Sequence, residues 1–295
     1  MVRPISTVVG DLLEPAREQL GGAVRSTLGG GPPADFTAAT DDDPGWFGPT
    51  SVAWRVHADR SMLVGGLRAL FLQVLHPLAM AGVAQHSAYR TDPLGRLART
   101  AHFIGATTYG TAAEAERAVA VVHAIHDRVV GTTRSGVPYA ANDPALLSWV
   151  HNVEVDSFLT AYQRYGPGLT STDADTYVSE MTTVARRLGA DELPETAADL
   201  RAWIDGVPGL RMTREARDAI RFLVIPRLPA PMLAPYSLLA AAAADLLSLR
   251  RRLTLGLVPV PLADPVLVRP ATTAMLGVLG WALGPPPWPE TRTAA

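Results

Sequence analysis

The stretch that most constrains the fold is residues 60–89, which is almost wholly apolar and contains no acidic side chain. It is long enough to cross a membrane, but Arg68 would then lie near the middle of the bilayer, at a cost of several kcal/mol. The segment therefore predicts a helix buried in the core of a water-soluble protein. Pro77 has no backbone N–H to donate, so we expect this helix to kink or split next to His76.

Helical periodicity dominates the rest of the chain, and strand signals are scarce. Closely spaced prolines argue against a regular helix at residues 226–236. The best strand candidates, 258–260 and 266–268, both adjoin prolines. These patterns predict an all-α fold, with further helices at residues 6–28, 95–108, 111–130, 144–165, 172–188, 197–205, 213–224, 237–255 and 272–283.

The domain organisation follows from the absence of any linker between two independent cores. We expect a single large helical domain. Residues 1–45 form an N-terminal helix and tether, residues 46–235 form the helical core, and residues 236–295 form C-terminal helices packed on that core. The composition agrees, since 48% of the residues are hydrophobic and 18% are charged, which is typical of an apolar globular protein.

Composition also excludes several kinds of chemistry. The chain has no cysteine, and all 26 basic residues are arginine. Thiolate metal sites, iron–sulfur clusters, cysteine nucleophiles and lysine Schiff bases are therefore excluded. A net charge of −2 gives no reason to expect nucleic acid as a partner. The start of the chain has no sustained apolar region, so we expect a cytoplasmic protein without stable membrane insertion; the sequence allows a homodimer.

The helix predicted at residues 111–130 has signals at both ends. Thr111 and Glu114 have the spacing of a capping box, in which each side chain bonds a free backbone N–H of the first turn. Gly131 suits the C-terminal stop of the helix. Along this helix Val119, Val122 and His126 recur at three- and four-residue steps and share an inward face.

A histidine therefore interrupts an apolar helix face, and His126 is the residue that points along it. His123, one turn earlier, lies toward the edge of the same face. The usual role of such a histidine is that of a core residue with its hydrogen bonds satisfied, and we expect this of His76 and His86. A single neutral imidazole on an apolar helix face also suits the proximal side of haem iron.

The preceding helix begins with the sequence RLART, which places Arg96, Arg99 and Thr100 close together. Arginine side chains can bind carboxylates such as haem propionates with two hydrogen bonds. No glutamate has a histidine three residues later, so the ligand pattern of a dinuclear iron bundle is missing. His151 and Glu154 share a helix face and could pair with each other or with an arginine.

Several blocks of the chain resemble the latex-clearing protein (rubber oxygenase) and MpaB-type oxygenase family. They are FGPTSVAWRVHAD at 47–59, LRALFLQVLHPLAMAGVAQHS at 67–87, the RLART segment followed one helix later by VHAIHDRV, and LLSWVHNVEVDSFLTAYQRY at 146–165. They occur in the family's order and cover roughly residues 45–235. The resemblance implies a haem-binding helical domain with a globin-like core.

The resemblance also implies roles for individual residues. In rubber oxygenases the histidine that matches His126 is the proximal ligand of a b-type haem, and the positions matching Arg96, Arg99 and Thr100 lie on its distal side. We therefore expect haem b to be bound by His126, His123, Arg96, Arg99 and His76, with the iron on His126. The same Arg96, Arg99 and Thr100 are the expected catalytic residues.

Two departures from the family bear on the reaction. The family's distal lysine is Arg99 here, and a guanidinium is a poor iron ligand because it stays protonated. The acid proposed as a base in rubber cleavage has no counterpart in residues 60–91. We expect an oxygenase that uses dioxygen on a small apolar substrate of the unsaturated, terpenoid or lipid-like class. The alternatives are a non-enzymatic helical protein that binds haem or lipid, and a haem-free member with hydrolytic or structural function.

Overall fold

The structure, a computed structural model, describes residues 37–40, 42–257 and 264–284, together with three helical positions, Glu14, Glu18 and Gly22. Apart from these three positions, the helix predicted at 6–28 lies outside the described residues, as does the strand candidate at 258–260. The described part is an all-α domain, as predicted, with one short β-hairpin. Its helices are α1 (Val52–Ala58), α2 (Met62–Gln73), α3 (Pro77–His86), α4 (Pro93–Tyr109), α5 (Ala112–His126), α6 (Pro144–Tyr165), α7 (Ser171–Leu188), α8 (Ala197–Gly206), α9 (Arg214–Val224), α10 (Ala230–Asp245), α11 (Leu249–Thr254) and α12 (Arg269–Leu283); the hairpin strands are β1 (Val130–Thr132) and β2 (Pro138–Ala140).

The centre of the fold is the contact between α2 and α6, with α10 packed on α2 as well. A Cβ atom at Gly65 of α2 would come within 2.8 Å of Phe158 Cδ1 and 3.1 Å of the Ser157 carbonyl oxygen on α6. The glycine therefore lets the two helix backbones approach closely. As predicted, this part of the apolar segment at 60–89 lies in the core.

The charge that argued against a membrane span is paired inside this core. Arg68 Nη1 lies 2.8 Å from Asp156 Oδ2, and both side chains are buried. The guanidinium also donates to Ser157 Oγ at 2.8 Å and to the Leu246 carbonyl at 3.2 Å. A buried charge is tolerated when its partner and hydrogen bonds replace water, and this arginine links α2, α6 and the end of α10.

The predicted break in the apolar segment is confirmed. The axes of α2 and α3 differ by 107°. His76 is the N-cap of α3, where its Nδ1 accepts from the Ala79 N–H at 3.4 Å, and Pro77 occupies the first helical position. Proline is well suited there because its missing N–H would have had no helical partner.

The predicted end of the 111–130 helix is wrong. Helix α5 ends at His126, and Gly131 lies in β1, where it pairs with Tyr139 of β2. A Cβ atom on Gly131 would meet the Tyr139 hydroxyl at 2.7 Å, so this glycine serves close strand packing and not a helix stop. The β-branched residues Val129, Val130, Thr132 and Thr133 favour an extended strand over the four further residues of helix that were predicted.

The C-terminal predictions also need correction. Helix α10 begins at Ala230 and contains Pro235, although the prolines predicted an irregular segment. Pro231 falls in the first turn, where proline is tolerated, so the helix loses few hydrogen bonds. The helix predicted at 237–255 is divided by Ser248, which caps α11, and residues 266–268 form a π-helical turn that leads into α12 instead of a strand.

Candidate functional site

The two helices that carry the predicted site form a hairpin. Asp92 caps α4, accepting from the Gly95 N–H at 2.9 Å, and Thr111 caps α5, accepting from the Glu114 N–H at 3.3 Å. The predicted cap of α5 at Thr111 is thus confirmed. Gly110 and Thr111 connect the two helices, and the helices pack against each other. The start of α4, with the RLART segment, and the end of α5, with His126, lie at the open end of this hairpin.

His126 is the last residue of α5 and is half-buried. Its Nδ1 atom is buried and has no hydrogen-bond partner among the described residues, and the same holds for Oδ1 of Asn142. Burial lowers the pKa of His126, while the neighbouring Asn142 side chain and the Asp127 carboxylate partly oppose this shift. The imidazole is therefore neutral near pH 7, which is the form that binds a metal ion.

The β-hairpin is what brings Asn142 to His126. The chain leaves α5 at His126, runs through β1, and returns through β2 to Asn142 just before α6. The Asn142 amide nitrogen donates to Asp127 Oδ1 at 2.6 Å, which fixes the position of its carboxamide. Sequence reasoning missed Asn142, since a helix extended to residue 130 gives no such return.

His123 makes a contact of a different kind. Its Nε2 lies 3.2 Å from the Arg187 carbonyl oxygen at the end of α7. Arg187 also pairs with Glu116, which lies two turns before His123 on α5. His123 therefore helps to fasten α5 to α7, whereas His126 keeps an unpartnered nitrogen.

The arginine and threonine cluster on α4 faces largely away from the core. Arg99 is exposed and pairs with Asp92 at 3.4 Å, and Thr100 donates to the carbonyl oxygen of Arg96 at 3.1 Å. Arg96 is half-buried, and burial lowers the pKa of its guanidinium, although nearby Tyr89 opposes the shift. In the described part of the chain, none of the interactions of His126 reaches these three residues.

His76 and His86 have the structural roles that the sequence suggested. The Nδ1 of His76 caps α3, and its ring lies 5.8 Å from that of Trp149. His86 Nε2 lies 3.2 Å from the Tyr139 hydroxyl, which joins α3 to the β-hairpin. Because Nδ1 of His76 accepts a hydrogen bond, the proton of its neutral ring lies on Nε2, and this tautomer leaves no lone pair on Nε2 for iron.

Sequence reasoning also missed a polar cluster inside the bundle. His57 on α1 has Nδ1 at 2.8 Å from Thr108 Oγ1 on α4 and Nε2 at 3.0 Å from the Tyr177 hydroxyl on α7. Burial, together with nearby His151, lowers the pKa of His57 to about 3. The histidine and the two hydroxyls come from three different helices, so no local sequence pattern indicates this cluster.

His151 and Glu154 do not form the ion pair that their spacing allowed. Burial lowers the pKa of His151 to about 4 and raises that of Glu154 to about 7. The described residues give Glu154 no ion pair, whereas Asp156 on the same helix is bound by Arg68 and lies 3.7 Å from Arg201. His151 is neutral at pH 7, and Glu154 is close to half-ionised.

A multi-ligand metal site is absent from the part of the chain that the structure describes, since no three histidine or carboxylate side chains converge there. Two open clefts of about 290 and 270 Å³ lie between α3, the β-hairpin and α9, and Arg134 and Glu215 line both. Neither is lined by His126. His126, with its unpartnered Nδ1, remains the candidate for a metal ligand among the described residues.

Comparison with known families decides the class of the protein. The model for the catalytic domain of the ER-bound oxygenase mpaB/B′ and rubber oxygenase family matches residues 54–284. The chain belongs to this family. The match begins in α1 and extends through α12, so the helices described above are those of an oxygenase catalytic domain. No curated protein and no solved structure matches the chain.

Proposed function

We propose that the protein is a haem-b-dependent oxygenase that uses dioxygen on a small apolar substrate, with His126 as the proximal ligand of the iron. The observation that supports this most directly is Nδ1 of His126, a buried nitrogen without a hydrogen bond of standard geometry, within a domain of an oxygenase family. A histidine in a protein interior normally has its ring nitrogens hydrogen-bonded. One that does not, and is neutral at pH 7, is suited to an iron ligand.

The residues around His126 fit such a group. Haem needs one protein ligand on the proximal side, and neutral imidazole is a common one. Asn142 Oδ1 lies beside the ring, where the Asn142 side chain acts to raise the pKa of His126, but it has no hydrogen bond of standard geometry. A small rotation would let it accept from the Nδ1–H, which fixes the tautomer and leaves Nε2 for the iron, as outer partners of metal-bound histidines usually do. Bound haem would supply the binding and activation of dioxygen.

The residues of α4 would supply hydrogen-bond donors to the bound group. Arg96 is half-buried at the open end of the hairpin, and its guanidinium would donate to a haem propionate or to dioxygen if haem is bound there. A guanidinium offers N–H donors and no acceptor, so the role of Arg99 is limited to donating hydrogen bonds. In the structure its partner is Asp92. Thr100 would have to release the Arg96 carbonyl to donate elsewhere. We therefore expect Arg96 to matter more than Thr100.

The test compares two histidines on one helix. Wild-type protein reconstituted with haem b should bind one haem per chain, and His126→Ala should bind none. His123→Ala should retain haem, because His123 contacts a backbone carbonyl and not the pocket. Absorption spectra and haem extraction measure the result. Equal haem content in His126→Ala and wild type would reject the assignment of the ligand.

A second candidate function is supported by the exposure of Arg99 and Thr100. An oxygenase needs a distal side that is shielded from bulk water, whereas a haem- or lipid-binding protein does not. Oxygen uptake by the ferrous protein, measured against unsaturated lipids and terpenoids, separates the two. The oxygenase proposal expects uptake that Arg96→Ala slows with haem content unchanged. A haem-loaded protein that consumes no substrate would be a binding protein.

A further inference from the structure

The outward face of α12 is unlike that of an ordinary surface helix. A helix on the surface of a water-soluble protein normally directs polar residues outward. From Val266 through α12, the polar residues that face outward are Arg269 and Thr273. The rest of that face is apolar, with Leu267 67%, Val278 51% and Trp281 42% exposed, and its other members are Val266, Pro270, Ala271, Ala274 and Gly277.

The opposite face of the helix holds it on the protein. Thr272, Leu276 and Ala282 are buried, and α12 packs against α10. At its C-terminal end Arg60 donates to the carbonyl oxygens of Gly280 at 3.1 Å and Gly284 at 2.6 Å. Within the described residues, Pro265–Leu283 is the single unbroken helix long and apolar enough to span a membrane. A crossing orientation would break these contacts, whereas a horizontal one keeps them.

The charge of this part of the chain is positive although the whole protein is slightly acidic. Residues 219–284 contain six arginines and two aspartates. Asp245 is bound by Arg252 at 2.8 Å and by Arg164 at 3.6 Å, so it adds no exposed negative charge. The charged side chains that are exposed among the described positions of this range are Arg221, Arg227, Arg250 and Arg269, and Arg269 lies on α12 itself.

We propose that α12 lies flat on a lipid bilayer that carries anionic headgroups, with Leu267, Val278 and Trp281 in the interfacial layer. Apolar burial and attraction of arginines to anionic lipid act together in helices of this kind. Tryptophan favours the membrane–water boundary. A second copy of the chain fits this face less well, because a twofold contact would bring the same arginines together.

The first experiment is flotation of the full chain with vesicles. The protein should float with vesicles of phosphatidylcholine containing phosphatidylglycerol, bind pure phosphatidylcholine poorly, and dissociate in high salt. Val278→Asp should remove most of the binding. The matched control is Val121→Asp on α5, a valine of similar exposure at 55%, which should bind as wild type does. Circular dichroism checks the fold, and Val278→Ser replaces the variant if aspartate disturbs it.

Two further measurements locate the contact. Brominated lipids should quench the fluorescence of wild-type protein, and Trp281→Phe should lose that quenching. Arg269→Glu should weaken partitioning into anionic vesicles roughly tenfold, because each basic residue near an anionic surface contributes severalfold. These readouts require no haem, so they stand or fall separately from the oxygenase proposal.

Three results would overturn the proposal. The first is equal vesicle binding by wild type and Val278→Asp, or no binding by either. The second is resistance to extraction by alkaline carbonate, which would indicate a helix that crosses the bilayer. The third is a dimer in solution that Val278→Asp dissociates, which would make a second copy the occupant of this face.

Discussion

The α2–α6 core and the α4–α5 hairpin treat their polar groups in opposite ways. In the core, Arg68 reaches Asp156, Ser157 and a backbone carbonyl, so the buried charge is fully paired. At the open end of the hairpin, His126 Nδ1 has no partner in the described residues, and Arg99 pairs only in solvent. Pairing of the first kind stabilises the fold. Groups of the second kind, which are unpaired or paired only in solvent, are available for a ligand.

The largest expected effect comes from breaking the core pair. Asp156→Ala leaves Arg68 buried without its counter-charge, which typically costs about 3–5 kcal/mol of unfolding free energy. Glu195→Ala is the control, because its pair with Arg186 at 3.0 Å is exposed on both sides and such pairs contribute about 0–1 kcal/mol. Urea unfolding measures both. Similar losses in the two variants would remove the distinction between core and surface pairs.

Glu154 lies on α6, a helix of the paired core, but the described residues give it no ion pair. Its pKa in the folded protein, about 7, lies above the ordinary value of 4.5. The folded state therefore binds more protons between these values, and its stability falls as pH rises through 7. Glu154→Gln cannot ionise, so it should exceed wild type in stability at pH 8 by up to about 3 kcal/mol and match it near pH 4.5.

The wild-type curve of unfolding free energy against pH serves as the control for Glu154→Gln. The pKa of His57 is lowered to about 3, so its protonation in the unfolded state reduces stability below pH 6.5 in wild type and variant alike. The difference between the two proteins then reports Glu154 alone. Parallel curves of unfolding free energy against pH would show that Glu154 is solvated or paired.

Replacing either of two adjacent glycines on α2 by alanine should change the unfolding free energy by a smaller amount, with opposite signs. Gly65→Ala places a methyl group against Phe158, and overpacking of this kind costs about 1–3 kcal/mol. Gly66 has nothing within 4 Å of the corresponding position, so Gly66→Ala should gain up to about 1 kcal/mol from helix propensity. Thermal unfolding of the two variants checks the sign. A loss of stability in both would mean that α2 is packed tightly on both sides.

The smallest change is expected at the hairpin. Arg99→Ala removes a solvent-exposed pair with Asp92, so unfolding free energy should change by less than about 0.5 kcal/mol. If Arg99 anchors a haem propionate, the same variant should lower haem affinity with stability of the haem-free protein unchanged. A large loss of stability without haem would place Arg99 with the structural pairs.

Much of the fold could be predicted because its signals are local. Pro77 and the acid-free segment indicated the break beside His76, and Thr111 and Glu114 indicated the start of α5. The end of α5 was misplaced because strand pairing between Val130 and Ala140, an interaction between distant residues, competes with helix. The first two turns of α10, residues 230–236, were missed because the position of a proline within a helix decides its cost, and sequence spacing alone does not give that position.

The part of the candidate site that depends on local signals could also be predicted. The periodicity along α5 separated His126 from His123, and their contacts differ accordingly. The neighbour of His126, Asn142, could not be found because it depends on the β-hairpin. The exposure of Thr100 depends on how the hairpin of helices packs against the core, which no local pattern encodes.

The β-hairpin also determines where the length of this chain can vary. Its strands pair in a fixed register, Val130 with Ala140 and Thr132 with Pro138, and Tyr139 is buried between them and Gln85. One residue added to either strand would turn Tyr139 to the opposite face and move Asn142 away from His126. An insertion near Gly136 at the tip would do neither, since nothing lies within 4 Å of a side chain built there. Insertions and deletions among related chains should therefore accumulate at the tip and avoid the strands.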